Sequence, residues 1–252
     1  MEREKFENIL NKININLDTD QLDMFDKYYE LLVKWNEFMN LTAITDYDEV
    51  MLKHFADSLA VSAAVHELSK SDKDICEKLD FNSGISVADI GTGAGFPGLP
   101  IKIAFPQSNV LLLDSLNKRI KFLDEVIGQL NLKNIETVHA RAEDGARNVL
   151  YREKYTLGVS RAVAKLSTLS EYVLPYVSVG GYFAAYKSGD IEEEVESSKK
   201  AVEMLGGEIR HIYKFNLPET DYKRSLIFIK KKSPVSKRFP RKSGLPSKEP
   251  LG

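Results

Sequence analysis

Residues 87–98 read Val-Ala-Asp-Ile-Gly-Thr-Gly-Ala-Gly-Phe-Pro-Gly, and this stretch decides the fold. A short apolar run ends in three alternating glycines, Gly91, Gly93 and Gly95, and a helix-compatible segment follows. This order of buried strand, glycine-rich turn and helix is typical of a parallel sheet that binds a nucleotide-like ligand, because glycines let the backbone approach the ligand. Asp89 ends the predicted strand, at the edge where open α/β sheets bind their ligands.

Two ligand classes compete for this loop. Read from Asp89, it has the spacing Asp-x-Gly-x-Gly-x-Gly, which is typical of S-adenosylmethionine-dependent methyltransferases. Read from Gly93, it also matches the Gly-x-Gly-x-x-Gly fingerprint of dinucleotide-binding dehydrogenases, and the acid that this fingerprint requires stands at Asp114. Pro97 has no N–H group at the point where a helix would bind a pyrophosphate. We therefore favour the methyl donor over the dinucleotide.

Length and composition describe an ordinary globular chain. It has 252 residues, of which 43% are hydrophobic and 29% are charged. No stretch is apolar enough to cross a bilayer, and the first residues lack the features of a signal peptide. Cys76 is the only cysteine, so we expect no disulfide and a cytoplasmic location. The four histidines have no cysteine partners at metal-ligand spacing, so we expect no metal site.

The chain divides into three predicted parts. Residues 1–80 form an N-terminal helical region, 81–232 a methyltransferase domain and 233–252 a basic C-terminal tail. Strands and helices alternate in the second part, and its last two strands pair as an antiparallel hairpin because no crossover helix fits between them. The predicted fold class is α/β, with the Rossmann-like, mostly parallel sheet of class I S-adenosylmethionine-dependent methyltransferases.

The ends of the predicted strands supply further candidates for the site. Asp114 follows the second strand and could accept hydrogen bonds from two ribose hydroxyls. Residues 140–144 follow the third strand, near the expected position of the adenine amino group. Arg161 follows the fourth strand and faces the reacting methyl group. It could orient the target base, bind a phosphate or hold the cofactor carboxylate, and we predict it as the catalytic residue.

The residues also narrow the reaction. Enzymes that methylate exocyclic amines commonly carry an Asp/Asn-Pro-Pro-Tyr/Phe box after the fourth strand, and this chain has none. Methylation of a pyrimidine at carbon 5 needs a cysteine nucleophile, and Cys76 lies in the helical region. A ring nitrogen such as guanine N7 needs neither feature, because its lone pair is unprotonated at neutral pH. Such a reaction requires that the base and the methyl donor are aligned and that the changing charges are stabilised, and it needs no proton transfer.

The tail differs in charge from the rest of the chain. From Lys230 onward, eight cations and one acid give a formal charge of +7, which leaves −9 for the remainder of a chain with net charge −2. A basic tail on an acidic body suggests contact with a polyanion, although a solvated tail that only aids solubility has the same composition.

Several motifs together carry a resemblance to a known family. They are Asn-Leu-Thr-Ala-Ile at 40–44, His-Phe-Ala-Asp-Ser-Leu at 54–59, the glycine loop at 91–98, Leu-Asp-Ser-Leu with Lys-Arg at 113–119, and Ser-Arg-Ala at 160–162. The combination closely resembles the glucose-inhibited division protein B family, which is the rRNA small subunit methyltransferase G family. Residues 238–248 are similar to the tail of its Gram-positive members, so the resemblance spans nearly the whole chain.

The resemblance implies a reaction, a cofactor and a partner. A methyl group would pass from S-adenosyl-L-methionine to N7 of one guanosine in the decoding-region loop of 16S rRNA, in the small ribosomal subunit. It also implies cofactor contacts at Gly91, Phe96, Ala142, Glu143 and Arg161. Family members often show Lys-Gly where this chain has Lys-Ser-Gly at 187–189, which leaves the role of that lysine open.

Two sets of site residues follow, for a protein that we expect to be a monomer. The cofactor pocket would comprise Asp89, Gly91, Gly93, Gly95, Phe96, Asp114, Ala142, Glu143 and Arg161. The rRNA phosphates would contact Lys237, Arg238, Arg241 and Lys242. Two alternatives remain open: an NAD-dependent dehydrogenase that uses the fingerprint at 93–98, and a non-catalytic ribosome-binding protein on a methyltransferase fold.

Overall fold

The computed structural model describes residues 2–162 and 164–252. Before the sheet lie α1 (Glu2–Lys12), α2 (Thr19–Met39), α3 (Tyr47–Val50), a π-helical turn (Met51–Ala56), α4 (Asp57–Leu68) and α5 (Lys73–Lys78). The strands are β1 (Ser86–Ile90), β2 (Asn109–Asp114), β3 (Ile135–His139), β4 (Tyr155–Ser160), β5 (Val177–Ser188), β6 (Gly207–Asn216) and β7 (Lys223–Lys231). The remaining helices are α6 (Gly98–Ala104), α7 (Asn117–Gln129), α8 (Ala142–Gly145), α9 (Leu166–Val173), α10 (Glu192–Met204) and α11 (Leu245–Lys248).

All seven strands belong to one sheet, in the order β3-β2-β1-β4-β5-β7-β6. Strands β1 to β5 run parallel, and β7 pairs antiparallel with both β5 and β6. The α/β fold class and the antiparallel C-terminal hairpin predicted from the sequence are confirmed. Because the five parallel strands point the same way, their carboxyl ends meet at one edge of the sheet, on either side of β1.

Helices cover both faces of the sheet, and alternate residues of each strand point to opposite faces. Val87, Leu112 and Val159 belong to one buried cluster, together with α6, α7 and the helices that precede β1. Ala88 and Leu111, their neighbours along β1 and β2, belong to the other cluster, together with α9 and α10. The strands therefore read as continuous apolar runs because both of their faces are buried.

The N-terminal helices pack directly against the glycine loop. Tyr28 of α2 stacks on Phe55 with ring centroids 5.0 Å apart, and its hydroxyl donates to the carbonyl of Ala94. Phe96 lies 5.6 Å from the Tyr28 ring. These contacts make the helical region a support for the loop, and the three-part division of the chain stays a prediction.

The C-terminal segment packs on the α9 side of the sheet. Val235 and Phe239 are buried in the cluster that contains α9 and α10. Arg152 donates to the carbonyl oxygens of both residues, at 2.8 and 3.1 Å, so its guanidinium joins two points of this segment. In the described residues, helices long and apolar enough to span a membrane are absent.

Candidate active site

The glycine loop leaves β1 and opens toward the carboxyl edge of the sheet. Gly91 and Gly93 have φ angles of 73° and 63°, a backbone conformation that L side chains rarely adopt. A Cβ placed on Gly93 would meet nothing within 4 Å, and one on Gly91 would reach only the Cβ of Ala162, at 4.0 Å. Open space beside a strained backbone fits a ligand that approaches these two glycines closely.

Gly95 and Phe96, which the sequence assigns to the cofactor pocket, both pack against the protein core. A Cβ on Gly95 would collide with Leu99 and with the Tyr28 hydroxyl, so packing alone requires a glycine there. Phe96 is 6% exposed, and its ring stacks on that of His54 at 4.6 Å. Packing against the N-terminal helical region thus explains why Gly95 and Phe96 occupy these two positions. No sequence pattern shows these contacts.

Asp89 is fully buried and organises the loop. Its Oδ2 accepts hydrogen bonds from the Thr92 hydroxyl at 2.7 Å and from the Gly98 amide at 2.8 Å. Burial raises the pKa of this carboxyl to about 7, against the hydrogen bonds from Thr92 and Gly98, which lower it. Its Oδ1 is buried without a hydrogen-bond partner in the described residues. Asp89 therefore holds the loop from inside the protein rather than from the side of a ligand.

The start of α6 has no amide available for a pyrophosphate. The Gly98 amide donates to Asp89, and the amides of Leu99 and Ile101 donate to the carbonyls of Gly95 and Pro97. The residue between them, at position 100, is a proline without an N–H group. A dinucleotide fingerprint works through free amides at this helix end, so the geometry disfavours the dehydrogenase.

A narrow cleft of about 270 Å³ lies at the ends of β1, β2 and β4. Gly91, Asp114, Ala142 and Glu143, all predicted from the sequence, line it. Both oxygens of Asp114 accept bonds, from the amide of Gly93 and from that of Leu116, each at 2.9 Å. Nη1 of Arg119 also donates to this carboxylate, 3.1 Å from Oδ2 and 3.5 Å from Oδ1, so its about four acceptor positions all have partners. Arg119 is half-buried, and a ribose hydroxyl that binds Asp114 must displace it.

A wide cleft of about 970 Å³ adjoins the narrow cleft at Ala162 and Ala164, which line both. Its walls come from the π-helical turn, the end of β5, the start of β7 and the first turns of α10. Five cations line it, namely Lys53, Arg161, Lys165, Lys187 and Arg224, together with the acids Asp57, Glu193 and Glu194. Lys187 donates to Glu194 at 2.6 Å, so its ammonium already has an anionic partner.

Arg161 lies in the wide cleft rather than in the narrow one. Its Nη1 donates to the carbonyl of Lys53 at 3.1 Å and to Oδ2 of Asp57 at 3.2 Å. Its Cζ lies 4.9 Å above the centre of the Phe96 ring. The Nε group has no partner among the described residues, so it can donate to a bound substrate.

Asp57 joins two arginines of the wide cleft and is 3% exposed. Besides Arg161, it faces Arg224, whose Nε lies 3.3 Å from Oδ1. Burial raises the pKa of this carboxyl, while Arg161 and Arg224 pull it down. Asp57 was not among the predicted site residues, although it lies in the quoted motif at 54–59. No sequence motif pointed to Arg224 as a partner of Asp57, because the two residues lie 167 positions apart in the chain.

His54 is held neutral beside Arg161. Burial and then the charge of Arg161 lower its pKa to about 3. Nδ1 lies 3.3 Å from Nη2 of Arg161 and 3.2 Å from the carbonyl of Lys53, and Nε2 lies 2.8 Å from the Thr42 hydroxyl. The ring adds no charge to the cleft at neutral pH.

The four predicted RNA-binding residues of the tail differ in their surroundings. Lys237, Arg238 and Lys242 are exposed. The guanidinium of Arg241 instead forms a fork on the buried carboxylate of Glu171, with Nη2 and Nε at 2.7 and 3.0 Å. The structure thus gives Arg241 a protein partner in place of the phosphate predicted for it.

The residues present fit S-adenosylmethionine. Gly93 offers open backbone beside the loop, and Asp114 lies at the end of β2 with the half-buried Arg119 as its side-chain partner. Glu143 lines the same cleft, and its Oε2 accepts no bond from the described residues. Groups of acids, histidines or cysteines arranged to hold a metal ion are absent from the described part of the chain.

Comparison with known proteins agrees with this geometry. A family model described as rRNA small subunit methyltransferase G matches residues 21–226. A relative of that name from Acetivibrio thermocellus is 52% identical over 237 residues, which cover 94% of this chain and 91% of the relative. Another from Lachnoclostridium phytofermentans is 50% identical over 242 residues and covers 96% of this chain and 94% of the relative.

Solved structures are more distant. The crystal structure of an S-adenosylmethionine-dependent O-methyltransferase from Thermotoga maritima is 15% identical, with a TM-score of 0.48 and coverage of 66% of each chain. This likeness is too remote to add to the comparison of sequences.

Proposed function

This chain belongs to the rRNA small subunit methyltransferase G family, and we propose that it transfers a methyl group from S-adenosylmethionine to N7 of one guanosine in the decoding-region loop of 16S rRNA. The observation that carries the proposal is the pair of adjoining clefts at the carboxyl edge of the sheet. The narrow cleft suits the methyl donor, and the wide cleft, lined by five cations and three acids, suits a nucleotide with its phosphates.

The narrow cleft would hold the donor through a few fixed groups. Gly91 and Gly93 would give close backbone approach, and Asp114 would take ribose hydroxyls in place of Arg119. Ala142 and Glu143 would lie beside the adenine. When bound, S-adenosylmethionine supplies an electrophilic methyl group on a sulfonium. Asp89 holds the loop in place through Thr92 and Gly98.

The wide cleft would orient the guanine without proton transfer. Guanine presents N7 and O6 as neighbouring acceptors, so Nε of Arg161 can donate to O6 while N7 stays free to attack. His54 is not an imidazolium at neutral pH, since its pKa is about 3, so it does not act as a general acid. Its neutral ring also avoids adding a charge beside a purine that becomes cationic on methylation. The role of this cleft in the reaction is then to align the guanine through Arg161, which Asp57 holds in position.

Both clefts are built by one chain, so we propose that the protein acts as a monomer on the small ribosomal subunit in the cytoplasm. The exposed cations Lys237, Arg238 and Lys242 would add contacts to rRNA phosphates. Arg241 is left out of this set because Glu171 neutralises it.

The test uses small ribosomal subunits from a strain that lacks this modification. The purified protein and S-adenosylmethionine are incubated with them, and the digested rRNA is analysed by mass spectrometry. We expect one new 7-methylguanosine, mapped to the decoding-region loop, and no gain on subunits that already carry it. No gain on the unmodified subunits would refute the proposed reaction, and parallel use of naked 16S rRNA identifies the form of the substrate.

A further inference from the structure

The narrow cleft has one wall that comes from the far end of the chain. Gly244 and Ser247 line it together with residues of the strand ends that lie about a hundred positions earlier. The Gly244 amide donates to Oε1 of Glu143 at 2.7 Å. Glu143 is 3% exposed, and its Oε2 accepts no bond from the described residues. The C-terminal segment therefore both covers the cleft and fixes one of its acids.

This segment, residues 239–248, is called the strap here, and buried contacts hold it in place. Glu171 of α9 is fully buried and receives the backbone amide of Arg241 at 2.7 Å besides the guanidinium fork. Arg147 donates to the carbonyl of Pro240 at 2.8 Å. A forked arginine–carboxylate pair fixes geometry, and its loss would leave Glu171 charged and unpaired in the interior. Arg241 is thus the anchor that keeps the strap on α9.

We propose that the strap completes the adenine side of the S-adenosylmethionine site, and that the Arg241–Glu171 pair sets the affinity for this cofactor. The identity of the ligand rests on the proposed function. Because the Gly244 amide binds Oε1 of Glu143, Oε2 is left to accept a hydrogen bond from a donor such as the exocyclic amine of adenine. Detaching the strap removes the wall and frees the Glu143 side chain, so binding must then include the cost of ordering both. Arg241 is a positioning residue, since it acts through Glu143 and the strap.

The experiment is calorimetric titration of the full chain with S-adenosylhomocysteine. We expect Arg241→Gln to weaken binding by about tenfold or more. Lys248→Ala removes the same charge from an exposed position of the strap, and we expect its affinity to stay within about twofold of the unsubstituted protein. Equal affinities for Arg241→Gln and the unsubstituted chain would overturn the inference. If the unsubstituted chain itself binds no S-adenosylhomocysteine, the proposed function fails instead.

A second measurement needs no substitution and so does not depend on how a variant folds. Backbone hydrogen exchange is followed with and without S-adenosylhomocysteine. We expect slower exchange at residues 241–249, including the Gly244 amide, because a bound ligand holds the strap against the cleft. The turn at 217–222, between β6 and β7, serves as the internal reference and should not change. Unaltered exchange in the strap, with ligand demonstrably bound, would overturn the inference.

Discussion

The two clefts share one edge of the sheet but are built on different principles. Most of the narrow cleft comes from the glycine loop and from residues at or just after strand ends, such as Gly91 and Asp114, and one wall comes from the strap. The wide cleft is lined by charged side chains from distant parts of the chain, including Asp57 and Arg161. A glycine loop and strand ends are encoded by local motifs, whereas a site made of paired charges exists only when the fold brings the charges together. Substitutions can therefore separate donor binding from substrate alignment.

The largest effect is expected from a substitution that disrupts the narrow cleft and leaves the wide cleft intact. Gly93→Val adds a β-branched side chain at a φ of 63° and fills the open space beside the loop. We expect the affinity for S-adenosylhomocysteine to fall by about a hundredfold or more, as measured by calorimetry. Gly128→Val, at an open position in α7 with ordinary backbone geometry, should bind normally. Unchanged affinity for Gly93→Val would remove the loop from the cofactor site.

The next effect breaks the wide cleft alone. Asp57→Asn removes the charge that holds Arg161 and Arg224, so both side chains lose their shared partner. We expect kcat for rRNA methylation to fall by roughly ten- to a hundredfold, because Arg161 no longer has a fixed position. Affinity for S-adenosylhomocysteine should remain within about twofold, as measured on the same preparation.

The control for this variant is Asp20→Asn, at an exposed position in α2, which should leave both quantities unchanged. A large loss of cofactor affinity in Asp57→Asn would contradict the separation of the two clefts. A normal kcat would show that the position of Arg161 does not limit the reaction.

A smaller effect concerns the electrostatics of the wide cleft. The pKa of His54 is about 3 in the folded protein and 6.5 in an unfolded chain. Since the unfolded chain binds the proton first, the stability due to neutral His54 is complete above pH 6.5 and is lost as the pH falls toward 3. At pH 5 this loss is about 1–2 kcal/mol after an allowance for solvent.

His54→Phe keeps an aromatic ring on Phe96 but cannot take up a proton. We expect its free energy of unfolding to fall less between pH 7.5 and pH 5 than that of the unsubstituted protein, as measured by denaturant titration. His139→Phe replaces an exposed histidine and should keep the unsubstituted profile. Parallel pH profiles for His54→Phe and the unsubstituted protein would show that His54 is not held neutral by the fold.

The smallest effect is expected from substitution of the exposed cations in the C-terminal segment. In Lys237→Ala/Lys242→Ala, rRNA binding should weaken slightly. The slope of log affinity against log salt should fall by about 0.7 for each lost phosphate contact on single-stranded RNA. Lys199→Ala/Lys200→Ala removes two exposed charges from α10 and serves as the control. Equal salt slopes for the two double variants would show that the tail is only a solvated segment that aids solubility.

The accuracy of the sequence predictions follows the same division between local and distant contacts. The seven strands, the final hairpin and the positions of Gly91 and Asp114 could be predicted, because strand, turn and helix signals span only a few residues. The inward packing of Gly95 could not, since it depends on Tyr28 some seventy residues earlier. The arginine that anchors the strap was predicted as an RNA contact because composition counts charges but does not show which acid neutralises them.

By itself, the sequence determined the α/β fold, the glycine loop and the family, and with the family the methyl donor. Apolar periodicity, positive-φ glycines and short motifs act over distances that a linear pattern records. Only the tertiary structure decided that Asp57 joins Arg161 to Arg224, that Phe96 stacks on His54, and that the C-terminal strap lines the narrow cleft. Those outcomes depend on burial, which makes a charge costly unless the fold supplies its partner from elsewhere in the chain.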